Sequence, residues 1–531
     1  MQFGFMRGPS LVKNFNRSLV IGCSALALAS CGADDLGSPG SNGDINIGDI
    51  INTPAPTPTP TGPAPGTRVA AADCPTLAGG VTLLNNGTTA SPNGSFRVCT
   101  LPNQISASTT LPYDPGVAYE LNGRVDVGID GGPTADSSDG IAGTSATLTI
   151  EPGVVVYGRE GVSGGSYLIV NRGSKLNANG TPARPIIFTA ATDIAGAAQE
   201  DTSARWGGIV LLGRAPVADC FAGGINQADQ LGCQMRVEGI ANNVPFFGGN
   251  TPTDSSGSLT YLQIRYSGFT LDLGSELQSL TLGGIGSGTT LDYIQSFNSS
   301  DDGTEFFGGN VNMKHFVAVG AEDDSVDTDS GVQANLQYLL VVQRDGVGDR
   351  AIENDSPPDD KGAGTTIPNA LPRTLTQISN ATLWGASGGD LINVRGASDL
   401  TIVNSVLYKP TAGKFCVNNN GNTGGGRGSQ ITFRSNELAC TTNSATDAAV
   451  AAGANNVFQA QTLTDKYING ASEAAFAPVF DAIALSTFFD RTTYIGAVQQ
   501  AGTPWTRGWT CDSATVSFGS GIACNALPVF N

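Results

Sequence analysis

The stretch TTLDYIQSFNSSDDGTEFFGGNVNMKHFVAVGAEDDSVDTDSGVQANLQYLLVVQRDGVGDR, which spans residues 289–350, repeats an acidic pattern at a fixed interval. Asp301 and Glu305 recur as Asp323 and Asp327, a step of 22 residues. A repeat of this length is typical of one turn of a parallel β-solenoid, in which each turn forms a rung and successive rungs stack. The sequence therefore predicts an all-β solenoid with rungs of about 22 residues.

Hydrophobic segments keep nearly the same interval. TTLDYIQSFN begins at Thr289 and VNMKHFVAVG at Val311, and ANLQYLLVVQ begins at Ala334, one residue beyond the ideal step. Because paired strands lie about 4.8 Å apart, stacking should place an acid of one rung over an acid of the next. We call this set the acidic ladder, and it comprises Asp301, Asp302, Glu305, Asp323, Asp324, Asp327, Asp329, Asp345 and Asp349.

The acidic ladder has two interpretations that the sequence leaves open. Two carboxylates about 5 Å apart repel by roughly 3 kcal/mol at an effective dielectric constant near 20. If the rungs bury the acids in part, Ca²⁺ is the expected cofactor, since it takes about six to eight oxygen ligands. If the acids are solvated, salt screens their repulsion and they are turn residues that accept backbone hydrogen bonds.

The N-terminus predicts export and lipid attachment. Residues 1–30 carry three basic residues and no acidic one, and the apolar run from Leu19 to Ala29 is too short for a lasting membrane span. Small residues precede Cys31, the pattern of a lipoprotein signal peptide whose cysteine is acylated. Because Gly32 follows, we expect transfer to the outer membrane and the cell surface. The alternative is a plain secretory signal with Cys31 unmodified.

The net charge argues against nucleic acid as a partner, and the composition along the chain suggests a division into regions. Loss of the leader, with its three basic residues, changes the formal net charge from −19 to −22, so nucleic acid is not an expected partner. After the leader, the sequence predicts a lipid anchor and Pro-rich tether at 31–72, an N-terminal cap region at 73–143, the parallel β-helix at 144–455 and a C-terminal cap with a helix at 456–531.

Two insertions interrupt the rungs, one at residues 345–373 and one around the glycine stretch NTGGGRGS that begins at Asn422. Loops that leave a rigid scaffold often carry binding residues.

Eight cysteines remain once Cys23 is lost with the leader and Cys31 is acylated. An even count in an exported chain predicts disulfides, and pairing of near neighbours is the simplest connectivity. Each bond would close a short loop and contribute about 3 kcal/mol in the chain-entropy model. Zinc is not expected, because the chain has no CxxC pair and a single histidine. The predicted pairs are Cys74 with Cys99, Cys220 with Cys233, Cys416 with Cys440, and Cys511 with Cys524.

Several strings together resemble a known family. They include LTIEPG at Leu148, WGGIVLLGRAPV at Trp206, FFGGNTPTDSSGSLTYLQIRYSG at Phe246 and SSDDGTEFFGG at Ser299. The chain is similar in these strings to bacterial surface lipoproteins with a right-handed parallel β-helix, within the pectate-lyase-like superfamily. The resemblance implies a right-handed parallel β-helix. It also implies that the protein assists a TonB-dependent outer-membrane receptor in the capture of a nutrient.

Two classes of function follow. A surface module that binds a ligand or adheres is the first, and Phe246-Phe247 and Phe306-Phe307 would offer outward rings for a sugar. A carbohydrate-active enzyme is the alternative. A polysaccharide lyase would use Ca²⁺ with a basic residue, and a glycoside hydrolase would use paired acids such as Asp301 and Asp302. The solitary His315 completes no recognisable triad. The candidate basic residues are Arg344, Arg350, Lys361 and Arg395.

Overall fold

A computed structural model describes residues 66–136, 138–218, 220, 233–237, 240, 244–272, 275–356, 371–420, 428–440 and 454–530. The predicted leader, Cys31, most of the tether and Lys361 lie outside these residues. Within the described ranges, we find no helix with the length and apolar composition that crossing a membrane requires.

The protein is a right-handed parallel β-helix, as predicted. Its first strands are β1 (Leu84–Ser91), β2 (Gly94–Thr100), β3 (Gln104–Ile105), β4 (Thr109–Leu111), β5 (Val117–Leu121), β6 (Arg124–Val127), β7 (Thr147–Ile150), β8 (Val155–Gly158), β9 (Tyr167–Val170), β10 (Lys175–Asn179), β11 (Ile186–Ala190) and β12 (Ile209–Leu212). The middle strands are β13 (Met235–Arg236), β14 (Phe246–Phe247), β15 (Gly257–Arg265), β16 (Thr270–Asp272), β17 (Ser275–Glu276), β18 (Leu280–Gly283), β19 (Thr290–Phe297), β20 (Glu305–Phe307), β21 (Asn310–Val319), β22 (Asp327–Asp329), β23 (Gln333–Val342) and β24 (Ile352–Asn354).

The last strands are β25 (Leu375–Ser379), β26 (Thr382–Trp384), β27 (Ile392–Val394), β28 (Asp399–Val403), β29 (Val406–Lys409), β30 (Val417–Asn419), β31 (Ile431–Arg434), β32 (Glu437–Cys440) and β33 (Val457–Phe458). Helical structure in the described residues is confined to single turns, α1 (Ala191–Ile194), α2 (Ala471–Ala474) and 3-10 turns at Ala78–Gly80 and Ala482–Ala484. A helix across Glu473–Ala484, which the sequence favours, is interrupted at Pro478, because proline cannot continue the helical hydrogen bonds.

Two parallel sheets wind around one core. Sheet B contains the short strands, in the order β3-β6-β9-β12-β18-β20-β22-β24-β27-β30, and sheet A contains the long ones. In sheet A, most rungs turn at a residue with positive φ, a conformation that bends an otherwise extended chain. We call these residues the corner row, and they are Tyr261, Tyr293, His315, Tyr338, Asn380, Asn404 and Ser435.

The core consists of columns of similar side chains. Leu262 pairs in register with Ile294, which pairs with Phe316, which pairs with Leu339, and none of the four is more than 1% exposed. Because parallel strands in register place equal positions over each other, one apolar position per rung produces a continuous apolar column.

The first rungs begin earlier than the boundary expected at residue 144. β4 and β5 already pair in parallel with β7 and β8, and β3 pairs with β6 and β6 with β9. The expected cap region at 73–143 therefore contributes rungs, and the antiparallel β1–β2 hairpin lies at this end of the β-helix. Strands as short as β3 have no visible hydrophobic period in the sequence, which explains the difference.

All four predicted disulfides are present: Cys74–Cys99, Cys220–Cys233, Cys416–Cys440 and Cys511–Cys524. The Cys220–Cys233 bond closes an excursion in which Val217, Cys233 and Met235 pack against Val210 and Leu212. Val210 and Leu212 lie on the outer face of sheet B, since Ile209 and Leu211, which alternate with them, belong to the core. Val217, Cys233 and Met235 therefore cover apolar side chains of that face.

The C-terminal region does more than cover the last rung. From Phe480 to Phe530 it runs back along the β-helix, and we call it the return segment. Its backbone bonds in turn to side chains of ever earlier rungs: Asn404 with Phe480, Gln337 with Asp490, Gln295 with Cys511, Arg265 with Cys524, and Tyr113 with Phe530. The expected C-terminal cap at 456–531 is thus largely a strap across the rungs.

We expect Asn404→Ala to destabilise the protein by about 2 to 3 kcal/mol. The buried Asn404 side chain donates to the Phe480 carbonyl and accepts from the Phe480 amide, both at 2.8 Å, so the variant loses two bonds that hold the return segment. The measurement is the urea midpoint of unfolding together with trypsin cleavage in the return segment. Asn525→Ala, at an exposed position of the same segment, is the control. Equal midpoints for the two variants would contradict the expectation.

Candidate metal centre on the outer face of sheet B

The outer face of sheet B changes from apolar to acidic at β20. Glu305 and Phe307 point outward, whereas Phe306 between them belongs to the core. Glu305 pairs in register with Asp327, and Asp327 with Glu353. Alternation along each strand then repeats the outward position two residues later, at Asp329 and Asp355.

The turns before these strands add a second set of acids. Asp301 and Asp302 precede β20, Asp323 and Asp324 precede β22, and Asp349 precedes β24. We call the combined surface the acidic face, and it comprises Asp301, Asp302, Glu305, Asp323, Asp324, Asp327, Asp329, Asp349, Glu353 and Asp355.

The structure brings seven of the nine predicted ladder residues into three close groups. In each group, one oxygen from every member lies within 4.8 Å of the others. The groups are Asp301 with Asp302 and Asp323, Asp302 with Glu305 and Asp327, and Asp323 with Asp324 and Asp349. Asp329 lies on the same face but outside the groups, and its carboxylate accepts from the backbone and hydroxyl of Ser330.

Asp345 does not belong to the ladder, contrary to the prediction. The third rung is longer than 22 residues, since Asp327 pairs with Glu353 and the Asp349 amide donates to the Asp323 carbonyl at 3.0 Å. The extra residues form a turn that leaves Asp345 exposed. Glu353 therefore takes the position below Asp327 that the fixed interval assigned to Asp349, and sequence reasoning missed both Glu353 and Asp355.

Some acids accept the backbone hydrogen bonds expected of turn residues. Asp302 accepts from the Asp324 amide at 2.9 Å, and Asp324 accepts from the Arg350 amide at 2.5 Å. Asp301 accepts from the Gln278 side chain at 3.1 Å. These bonds connect the carboxylates of one rung to the next, as the turn interpretation predicts for part of the set.

Burial raises the pKa values of several acids on this face. Burial, with Glu276 and Asp323 nearby, raises the pKa of Asp301 to about 7. Burial also raises the pKa values of Asp302, Asp324 and Asp327 well above their ordinary range, and neighbouring carboxylates add to the effect.

Burial also raises the pKa of an acid just after β24. The pKa of Asp355 is raised to about 7 by burial and by Asp329. Without a cation, these groups must hold protons or repel each other in a poorly solvated setting.

Cationic side chains of the described residues contact the acidic face at Asp349, Glu353 and Asp355. Arg395 lies 2.6 Å from Glu353 and 3.5 Å from Asp355, and Arg350 contacts Asp349. At the centre, one oxygen of Asp327, Oδ1, is sealed from solvent and has no hydrogen-bond partner among the described residues. Arg344, another predicted basic residue, pairs with Glu322 instead, at 2.9 Å.

The donor set fits a hard divalent cation. All atoms that converge on the centre are carboxylate oxygens, the ligands that Ca²⁺ prefers, and thiol or imidazole ligands are not among the described groups. A cation near Asp302, Glu305 and Asp327 would satisfy the sealed Asp327 oxygen and offset the mutual repulsion of the acids.

The predicted aromatic platform is mostly covered. Phe306 is part of the core. Phe307 is 9% exposed, its ring centroid lies 6.1 Å from that of Phe247, and both rings belong to the apolar cluster that contains Val217 and Met235. Phe246 is half-buried, with Arg236 over its ring. His315 lies on the corner row of sheet A, so it does not complete a catalytic group with the acidic face.

A model of a protein family, described as a pectate-lyase like beta helix domain, matches residues 137–510. Comparison with curated proteins finds no match, and comparison with solved structures finds none either.

In the presence of a chelator, we expect stability to fall as the pH rises from about 4 to about 7. The pKa values of Asp301 and Asp355 are about 7 in the folded protein, against an ordinary value of 3.8. Between these values the folded chain holds protons that the unfolded chain has released, so each group contributes stability at low pH that is lost on the way to pH 7. The slope is about 1.4 kcal/mol per pH unit for each proton.

The measurement is the urea midpoint against pH for the protein, for Asp301→Asn and for Asp345→Asn. Asp301→Asn should have a shallower fall between pH 4 and 7, whereas the exposed Asp345→Asn control should follow the unmodified protein. A midpoint that rises over this interval in all three would contradict the assigned pKa values.

Proposed function

Because the chain belongs to the pectate-lyase-like β-helix family, we propose that it is a carbohydrate-binding module in which Ca²⁺ on the acidic face links the protein to acidic glycans. The observation that carries the proposal is the group of Asp302, Glu305 and Asp327, in which one carboxylate oxygen of each lies within 4.8 Å of the others. Asp302 and Glu305 are at most 8% exposed, and Asp327 Oδ1 is sealed from solvent with no hydrogen-bond partner in the described part of the chain.

The negative charge of the acidic face determines how an acidic glycan could bind there. Bare carboxylates repel an acidic glycan, whereas Ca²⁺ bound by protein oxygens keeps coordination positions that a sugar carboxylate can fill. The residues of this chain would hold the ion, and Asn393 and Arg395 would keep Glu353 in place through bonds of 2.8 and 2.6 Å. The rigid stack of rungs would preset these positions before a ligand arrives.

Attachment to the cell envelope is a further part of the proposal and rests on the sequence. The leader before Cys31 and the Pro-rich tether support a lipid-anchored protein at the outer-membrane surface, where an outer-membrane receptor would be a fitting partner. Loss of membrane association in a Cys31→Ser variant supports this placement, and unchanged association argues against it.

A carbohydrate-active enzyme is the second candidate, and one observation favours it. Asp301, with a pKa of about 7, lies within 4.8 Å of the exposed Asp323, measured between carboxylate oxygens. An acid that is protonated near neutral pH beside a second carboxylate is the arrangement of a retaining glycoside hydrolase. A lyase is less well supported, because Arg350 and Arg395 are both engaged with carboxylates.

We expect Ca²⁺ to raise the melting temperature of the purified protein relative to chelator, and Asp327→Asn to abolish most of the rise. Calcium binds the folded state alone, so the stabilisation at about 100 times the dissociation constant is about 2.7 kcal/mol. Asp345→Asn removes the same charge from an exposed turn and should retain the full response. An equal response in both variants would place the calcium effect elsewhere.

We also expect the protein to be retained on immobilised polygalacturonate with Ca²⁺ and released by chelator. Neutral dextran, used as the matched matrix, should not retain it. Release of reducing ends from soluble polygalacturonate, lost in Asp301→Asn, would favour the hydrolase. Retention that persists in chelator would contradict calcium-mediated binding.

A further inference from the structure

A cavity of about 250 Å³ lies where the return segment crosses the corner row of sheet A. His315 and Tyr338 line it from the rungs, and Asp490, Tyr494 and Trp505 line it from the return segment. All of these residues belong to the described chain. The cavity opens on a corner within sheet A, whereas the acidic face is the outer surface of sheet B. The two places are therefore separate.

A stack of four rings follows the corner row, and two of its members, His315 and Tyr338, form the rung side of the cavity. Tyr261, Tyr293, His315 and Tyr338 follow each other with centroids 4.4, 4.1 and 4.6 Å apart and planes within 13° of parallel. Each ring residue has positive φ, which is costly for a bulky side chain. In the next two rungs the same corner holds Asn380 and Asn404, which adopt this conformation more readily. The aromatic residues therefore occupy the corner at the cavity at a conformational cost.

Stacking decides which part of each ring a ligand can reach. Tyr293 and Tyr338 cover both faces of His315, and Trp505 meets His315 edge to face at 4.8 Å. The His315 ring therefore presents its edge to the cavity. An organic cation binds aromatic faces, so this geometry does not favour one. Ring edges that carry hydroxyl and imidazole groups favour hydrogen bonds.

Hydrogen-bonding groups converge on the cavity. The Tyr338 hydroxyl donates to Asp490 Oδ2 at 3.3 Å, and Lys314 Nζ holds the other oxygen of Asp490 at 2.7 Å. Burial raises the pKa values of Tyr338 and Tyr494, so both hydroxyls stay protonated donors.

The histidine ring offers a further bond. His315 Nδ1 lies 2.7 Å from Asp292 Oδ1, which leaves Nε2 as the remaining hydrogen-bonding atom of the ring. The Asp490 side chain is 53% exposed, so a ligand can reach its carboxylate.

We propose that this cavity binds one neutral sugar unit. Its volume is below that of pockets for drug-sized ligands, about 300 to 1,000 Å³, which suits a single ring. A neutral sugar has closely spaced hydroxyls that both donate and accept, which match a carboxylate, two phenols and an imidazole edge. Pro504 and Trp505 supply the apolar side that the C–H groups of a sugar need. This site does not depend on calcium or on the acidic face.

The single histidine of the chain makes a direct test available. Protein labelled with ¹⁵N-histidine gives ring signals from His315 alone, and these are followed by NMR during titration with methyl glucoside, methyl galactoside and choline in the presence of a chelator. We expect a saturable shift of the His315 signals with at least one of the two sugars and none with choline.

Asp490→Asn and Tyr338→Phe keep the shape of the cavity and remove one hydrogen-bonding function each. We expect each to weaken sugar binding, about tenfold for Asp490→Asn because it loses a charged acceptor. Tyr408→Phe, at a tyrosine outside the cavity, should leave the affinity unchanged. The proposal is overturned by no shift with either sugar, by a shift with choline alone, or by equal affinity in all three variants. Because chelator is present throughout, failure here leaves the calcium proposal standing.

Discussion

Parallel stacking in register is the constraint on which the rest of this structure depends. Each rung places its residues directly over the equivalent residues of the next, about 4.8 Å away. For apolar positions such as Leu262, Ile294, Phe316 and Leu339, the constraint is favourable, because like packs on like and a continuous core results. For charged positions, the same constraint sets like charges at a distance where they repel.

On the acidic face, different groups reduce the repulsion between carboxylates at different places. Towards Glu353 and Asp355, Arg395 supplies a positive charge. In the turns, Asp302 and Asp324 accept backbone hydrogen bonds from the following rung. At the centre, the sealed oxygen Oδ1 of Asp327 has no hydrogen-bond partner among the residues that the structure describes. The proposed cation would supply a positive charge at this oxygen.

The return segment introduces contacts of a different kind. Neighbouring rungs contact only each other, so a solenoid is close to a one-dimensional structure. The return segment bonds to side chains from Asn404 back to Tyr113 and so connects rungs that are far apart along the axis. The cavity beside His315 exists only because this segment crosses the aromatic corner. A binding site can thus arise where a strap meets a regular scaffold.

The solenoid, its stacked acids and its disulfides could be predicted from the sequence, because these features depend on local intervals along the chain. The 22-residue step holds between Glu305 and Asp327, and the four cysteine pairs are near neighbours. The place where that step changes depends on the folded structure. Asp349 lies where the interval predicted Asp345, and Glu353 lies where it predicted Asp349, because an exposed turn lengthens one rung and no local signal counts the residues it absorbs.

The path of the return segment and the His315 cavity likewise could not be predicted from the sequence. Asp490 and His315 are brought together by docking of an irregular segment, and docking depends on the shape and hydrogen bonds of a surface that exists only after the rungs have stacked.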